Sequence, residues 1–261
     1  MKHISILGLT LYALTASNAQ TTIFDHDFTD YAGEETDALN GTTVDGGTAT
    51  WSVGGSSGDG PNFIYADGDV STRGGAALAY AFTTGVYELS VGLTVDSGFS
   101  GIGFTSSNPV AGSYFSESWA TIGLRASGDF EFWEGIANNN ANDGGNLGDD
   151  YSGSNTNPIT GTLRMVLDWN DTTNVGTITG YFTADGGSEI QVDLDDQTVG
   201  VNGNSISVGS DLTGIILQFD GRTDQGNSYQ YLTLTSIPEP SSFAFVGGLL
   251  AFGLVSMRRR R

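Results

Sequence analysis

Val86-Tyr87-Glu88-Leu89-Ser90-Val91-Gly92-Leu93-Thr94-Val95 is the stretch on which the fold is decided. Tyr87, Leu89, Val91, Leu93 and Val95 occupy every second position, with Glu88, Ser90, Gly92 and Thr94 between them. A period of two belongs to a strand, because successive side chains of an extended backbone leave on opposite faces. One face is therefore core, and the other meets solvent or a ligand.

The same alternation recurs outward from this stretch in both directions. Leu78, Tyr80 and Phe82 alternate with Ala77, Ala79 and Ala81, and Leu163, Met165 and Leu167 with Arg164, Val166 and Asp168. Ile190, Val192 and Leu194 alternate with Gln191 and Asp193, and Leu217 and Phe219 with Gln218 and Asp220. Further strands are expected at Ile23 to Phe28, Thr48 to Val53, Asn62 to Ala66, Gly101 to Thr105, Trp119 to Ala126, Phe130 to Glu134, Val175 to Ala184 and Tyr229 to Ser236. Gly, Ser, Thr, Asn and Asp punctuate these segments, and no part of the body sustains a 3.6-residue apolar period. Roughly thirteen strands with this spacing predict an all-β antiparallel two-sheet sandwich.

The two ends of the chain have a different composition. Met1 to Ala19 carries Lys2, an apolar run from Ile4 to Leu14, and Ser17-Asn18-Ala19 before Gln20, the layout of a secretory signal peptide whose apolar core is too short to span a membrane. At the other end, Pro238-Glu239-Pro240 precedes an uncharged run from Ser241 to Met257, and Arg258, Arg259, Arg260 and Arg261 close the sequence. As a helix the run is about 25 Å long, close to the thickness of a bilayer core, and snorkelling arginines absorb the difference. Four arginines place its C-terminal end in the cytoplasm and everything before Pro238 across the membrane. The expected organisation is a signal peptide over residues 1–19, one sandwich domain over 20–237 and a tail with a single transmembrane sorting helix over 238–261.

Between the ends, Gln20 to Pro240 holds four arginines (Arg73, Arg125, Arg164 and Arg222), no lysine and all 30 acidic residues, a net charge of −26. Such a field repels phosphate backbones and argues against nucleic-acid binding. Cysteine is absent from the sequence, so disulfides, thiolate metal sites and a cysteine nucleophile are excluded. Once the leader is removed, His26 is the single imidazole left for any Ser-His-Asp arrangement.

The tail resembles the PEP-CTERM sorting signal of Gram-negative bacteria, with Pro238, Glu239 and Pro240 matching its tripeptide, followed by the short apolar helix and the arginine cluster. The resemblance implies export through the Sec translocon and transient anchoring in the inner membrane with the body on the periplasmic side. Processing by an exosortase-type enzyme follows, then a place on the cell surface or in the extracellular matrix of a polysaccharide-producing cell. The body resembles the concanavalin-A-like jelly roll of lectins, laminin-G modules and some glucanases. That likeness rests on the opening Asp25 to Phe28, on Gly103-Phe104, and on the pair Leu163 to Trp169 and Thr177 to Tyr181.

Glucanases of that class set two acids on one strand in a Glu-x-Asp-x-x-Glu arrangement. Here Glu131 and Glu134 are three apart, which throws them to opposite faces of a strand, and the middle aspartate is missing. A non-catalytic role is therefore expected. If Phe130 and Phe132 enter the core, Asp129, Glu131 and Trp133 share the opposite face, where Trp133 either caps the edge of the core or offers its indole to a sugar beside two carboxylates. Calcium is the other candidate ligand, since it takes about six to eight hard oxygens, and Asp25 with Asp27 and Asp67 with Asp69 are pairs that would supply some. The same residues equally serve as turn chemistry. The functional expectation is a matrix or surface protein that binds extracellular polysaccharide; a glycan-active enzyme and a purely structural role are the alternatives.

Overall fold

The computed structural model describes residues 20–28, 39–45, 47–55, 73–105, 118–134, 142–146, 158–192, 206–209, 212–220 and 227–238. Among these every regular element is a strand, and Gln20–Ile237 is one compact unit. The expected strand over Asn62 to Ala66, the signal peptide and the apolar tail lie outside the described residues. No helix of the described residues is long and apolar enough to cross a membrane.

The fourteen strands of the described residues divide into two antiparallel sheets of seven. The first contains β1 (Thr21–Asp27), β4 (Gly85–Val95), β9 (Ile159–Asn170), β10 (Val175–Ala184), β11 (Glu189–Val192), β12 (Ile206–Gly209) and β14 (Ser228–Ile237). Their order is β1-β14-β4-β9-β10-β11, with β12 pairing the other half of β10. The second contains β2 (Ser52–Gly55), β3 (Arg73–Ala79), β5 (Phe99–Thr105), β6 (Ser118–Arg125), β7 (Asp129–Glu134), β8 (Asn142–Asn146) and β13 (Gly214–Asp220), in the order β2-β3-β13-β5-β6-β7-β8. The all-β two-sheet sandwich expected from alternation is the architecture found.

β4 sits at the centre of the first sheet, and the residues predicted to face inward do so: Tyr87, Leu89, Val91, Leu93 and Val95 are all buried. Its neighbour β9 reads buried at Ile159, Leu163, Met165, Leu167 and Trp169, in the same alternation. Against them the second sheet sets Ile102, Phe104, Ile122, Leu124, Phe130, Ile215, Leu217 and Phe219. Removing each such side chain from water contributes about 1.5–3 kcal/mol, which is how a sandwich without disulfides is held together.

Two polar side chains tie the layers where apolar packing alone would leave register loose. Tyr229, buried in β14 of the first sheet, brings its hydroxyl 2.7 Å from the carbonyl of Gln218 and 3.1 Å from that of Gly101, both in the second sheet. Asn227 accepts from the backbone N–H groups of Asp96 (2.7 Å) and Ser97 (3.0 Å) and donates to the Ser97 carbonyl (2.7 Å), so it closes the turn by which the chain passes from β4 to β5.

Sequence and structure differ in places. Tyr80 to Phe82 leave the sheet after β3, yet Phe82 still packs in the core, edge-on to Tyr87 and Phe104. Asn142 to Asn146, with a turn-like composition, forms β8 and extends the second sheet by pairing with β7. Val95 and Phe99 are strand residues joined by a short turn, so β4 and β5 are consecutive elements belonging to different sheets.

Candidate functional site

The candidate site grows from β7 and its register. Phe130 is buried and meets Phe182 of the opposite sheet edge-to-face, with ring centroids 5.5 Å apart, which fixes the inward side of β7. Asp129 is half-buried and accepts a hydrogen bond of 2.6 Å from the Ser127 hydroxyl at the preceding turn. Glu131 is in register with Gly123 on one side and Asp143 on the other, and Trp133 is in register with Thr121. Alternate backbone positions therefore place Asp129, Glu131 and Trp133 together on the side of β7 opposite Phe130, and β8 brings Asp143 and Asn146 beside them.

Following the same register across the second sheet gives a row without bulk. Gly75, Gln218, Gly101, Gly123, Glu131 and Asp143 succeed one another from β3 to β8. The next row runs Ala77, Ile216, Gly103, Thr121 and Trp133. Glycine is required at Gly103 by close approach: a Cβ there would fall 2.7 Å from the Thr121 hydroxyl oxygen and 2.8 Å from its Cα. The Thr121 hydroxyl thus leans over Gly103, fully buried and without a hydrogen-bond partner. A buried hydroxyl in that state costs about 1–3 kcal/mol until something bonds to it.

Of the candidate metal residues the described part of the structure contains Asp25 and Asp27. Asp25 and Asp27 are exposed on the same side of β1, where they offer calcium two carboxylates out of about six to eight oxygens. Asp67 and Asp69 lie outside the described residues, and among the described residues no three His, Cys, Asp or Glu side chains gather around one point. Between Asp25 and Asp27, His26 points the other way, into the core, with no exposed surface. Its Nδ1 is 2.9 Å from a carboxylate oxygen of Asp45 and accepts from the backbone N–H of the same residue at 3.3 Å. Burial lowers the pKa of His26, opposed by the nearby charges of Asp45, Asp27 and Asp25. Its ring packs edge-on to Phe28 at 4.5 Å and against Trp51 at 5.6 Å, which makes it a core residue rather than a nucleophile's base.

On the outward side of the first sheet the structure holds two clusters that alternation alone does not single out. Arg164 of β9 donates through Nε (2.9 Å) and Nη2 (2.8 Å) to both carboxylate oxygens of Glu189, through Nη1 (3.0 Å) to Glu88, and lies 4.0 Å above the Tyr181 ring. Two strands away, Tyr231 of β14 crosses over Gly92 of β4 and reaches the Thr162 hydroxyl of β9 at 2.7 Å. Gly92 leaves that space, since a Cβ on it would lie 2.6 Å from Cδ1 of the ring. Tyr231 was one of several tyrosines in the sequence; what marks it is a partner strand more than a hundred residues away.

These elements define an antiparallel all-β sandwich with glycine-rich rows that end at Glu131, Asp143 and Trp133 in the second sheet and aromatic-hydroxyl clusters on the outward side of the first. Several solved structures bear a loose likeness to it. The lectin from Bauhinia forficata in complex with GalNAc has a TM-score of 0.41 at 7% identity, covering 84% of this chain and 98% of that one. The VIP36 exoplasmic/lumenal domain in its Ca2+/Man2-bound form gives 0.36 at 10%, covering 80% and 91%, and the Emp47p carbohydrate recognition domain 0.36 at 9%, covering 83% and 96%. No family model and no curated protein matches the sequence.

Proposed function

We propose that this chain is an exported surface or matrix protein that binds extracellular polysaccharide without turning it over, through the side of the second sheet that carries Asp129, Glu131 and Trp133. One observation carries this reading: the β6-β7-β8 register gathers Trp133, Glu131 and Asp143 at the end of glycine-rich rows. An indole stacks on the apolar face of a sugar ring, and carboxylates accept from its hydroxyls. A lysine-free body of net charge −26 disfavours polyanions and leaves neutral glycans. Individual contacts of this kind are weak, about 0.5–1.5 kcal/mol per hydrogen bond, so retention comes from many copies on one polymer.

The terminal segments supply the location in this reading. The leader over 1–19 directs export, and Pro238-Glu239-Pro240 with the apolar run and Arg258 to Arg261 directs exosortase-type sorting to the cell surface or matrix. Calcium is the candidate cofactor in this reading, with Asp25, Asp27, Asp67 and Asp69 as its carboxylates.

The test is a panel of neutral and acidic polysaccharides, with calcium or chelator, comparing wild type with Trp133→Ala. Weaker binding by the variant with an unchanged fold supports the site. Binding by neither protein, or by both equally, refutes it. Release of reducing sugar in the same assay would move the protein to the glycan-active enzymes, with Asp129, Glu131 and Asp143 the first acids to replace.

A further inference from the structure

The outward side of the first sheet carries a second constellation, independent of β7. Asp27 of β1 is in direct register with Tyr231 of β14, and Asp25 with Thr233, so two exposed carboxylates border the tyrosine on one side. On its other side the ring crosses Gly92 and is held by the Thr162 hydroxyl at 2.7 Å. Beside it, Gln230 donates to the Thr94 hydroxyl at 2.8 Å, and Thr94 is 3.1 Å from the Thr160 hydroxyl. Tyr231, Thr94, Thr160 and Thr162 are each half-buried, so part of every one still meets solvent.

We propose that this patch, Tyr231 with Asp25 and Asp27, is a second glycan-binding subsite, specific for neutral sugar rings and facing away from the first. Its parts match the chemistry of a pyranose. The phenol ring offers an apolar surface to the C–H face of the sugar, and its position is set before any ligand arrives by the hydroxyl bond and by the space over Gly92. Threonine hydroxyls and the Gln230 amide both donate and accept, as sugar hydroxyls do. The two aspartates accept from adjacent hydroxyls and repel anionic polymers. A ligand that is itself a cation would use the ring and the carboxylates but has no need of the hydroxyl-lined border, which is what favours a sugar here.

Because the two patches lie on opposite outer faces of the sandwich, one molecule holds two polysaccharide chains. The protein thereby becomes a cross-link rather than a coat.

The experiment is affinity electrophoresis of the folded protein through gels containing a soluble neutral β-glucan, a polyuronate, or no polymer, with wild type, Trp133→Ala, Tyr231→Ala, Tyr231→Phe, Asp27→Ala and the Trp133→Ala/Tyr231→Ala pair. Retardation by the neutral polymer is expected to weaken but persist in Trp133→Ala, to weaken about tenfold in Tyr231→Ala, to stay within about threefold in Tyr231→Phe, and to vanish in the pair. Asp27→Ala, at an exposed position, reports on the subsite even if removal of the Tyr231 ring disturbs the sheet; it is expected to weaken retardation severalfold. Wild type should also raise the viscosity of the polymer solution, and neither single-face variant should. Retardation abolished by Trp133→Ala and indifferent to Tyr231 and Asp27 would overturn this subsite and leave the first intact. The reverse pattern would uphold this subsite and refute the first. Indifference to all the substitutions, or retardation by a polycation alone that is lost in salt, overturns it.

Discussion

The hydroxyl of Tyr229, in one sheet, lies 2.7 Å from the carbonyl oxygen of Gln218 in the other. A phenol in the middle of an apolar sandwich is costly unless its hydrogen is used, and burial here pushes its pKa well up, so the group stays a donor at every physiological pH. Tyr229→Phe removes that donor and keeps the ring. Stability is expected to fall by about 0.5–1.5 kcal/mol in chemical denaturation, with no change in the slope of the transition. A variant as stable as wild type would show that the contact contributes nothing.

The two faces of β4 predict opposite sensitivities. Leu89→Ala removes a fully buried side chain from the core and should cost about 2–5 kcal/mol. Glu88→Ala breaks a half-exposed ion pair with Arg164, which keeps its two bonds to Glu189, and should cost under about 1 kcal/mol. Equal losses would contradict the facing.

Acid should weaken the fold through His26. Its folded pKa lies below the ordinary value of 6.5, so the unfolded chain takes up a proton that the folded chain refuses. Stability is then fully present above about pH 6.5 and declines as pH falls below it, by at most about 1.4 kcal/mol per pH unit from this group. Thermal midpoints between pH 8 and 5 should show this decline. In His26→Phe the part of the slope between about pH 7 and 6 should flatten, while the carboxylate contribution at lower pH remains.

Sorting is checked by intact-mass spectrometry of protein recovered from the cell surface. The expected species begins near Gln20 and lacks the segment after Pro240. Recovery of Arg258 to Arg261 on externally located protein would end the processing proposal.

The sandwich was legible because alternation is a local property: Val86 to Val95 and Ile159 to Asn170 each declare their inner side without reference to any partner. β5 does not, since all of its residues from Phe99 to Thr105 are buried and their sequence carries no period of two. β8 does not either, because Asn-Asp-Gly-Gly-Asn is turn chemistry until a neighbouring strand offers it a ladder. For the candidate sites, the sequence put Asp129, Glu131 and Trp133 on one side of a strand by counting. It could not bring Asp143 beside Glu131, set Thr121 over Gly103, or make Asp25 and Asp27 neighbours of β14 at Tyr231, because those relationships are made by register between distant segments.

The placement of β14 between β1 and β4 has a mechanical consequence. It is held along one edge by nine register pairs with β4 and along the other by six with β1, and the chain leaves it at Ile237 toward Pro238. Tension applied at that end runs along the strand axis, across hydrogen bonds that lie perpendicular to it, so both ladders are sheared together instead of being opened one rung at a time. A protein tugged by its C-terminal end while a polymer grips its faces would resist through the strand best placed to bear the force.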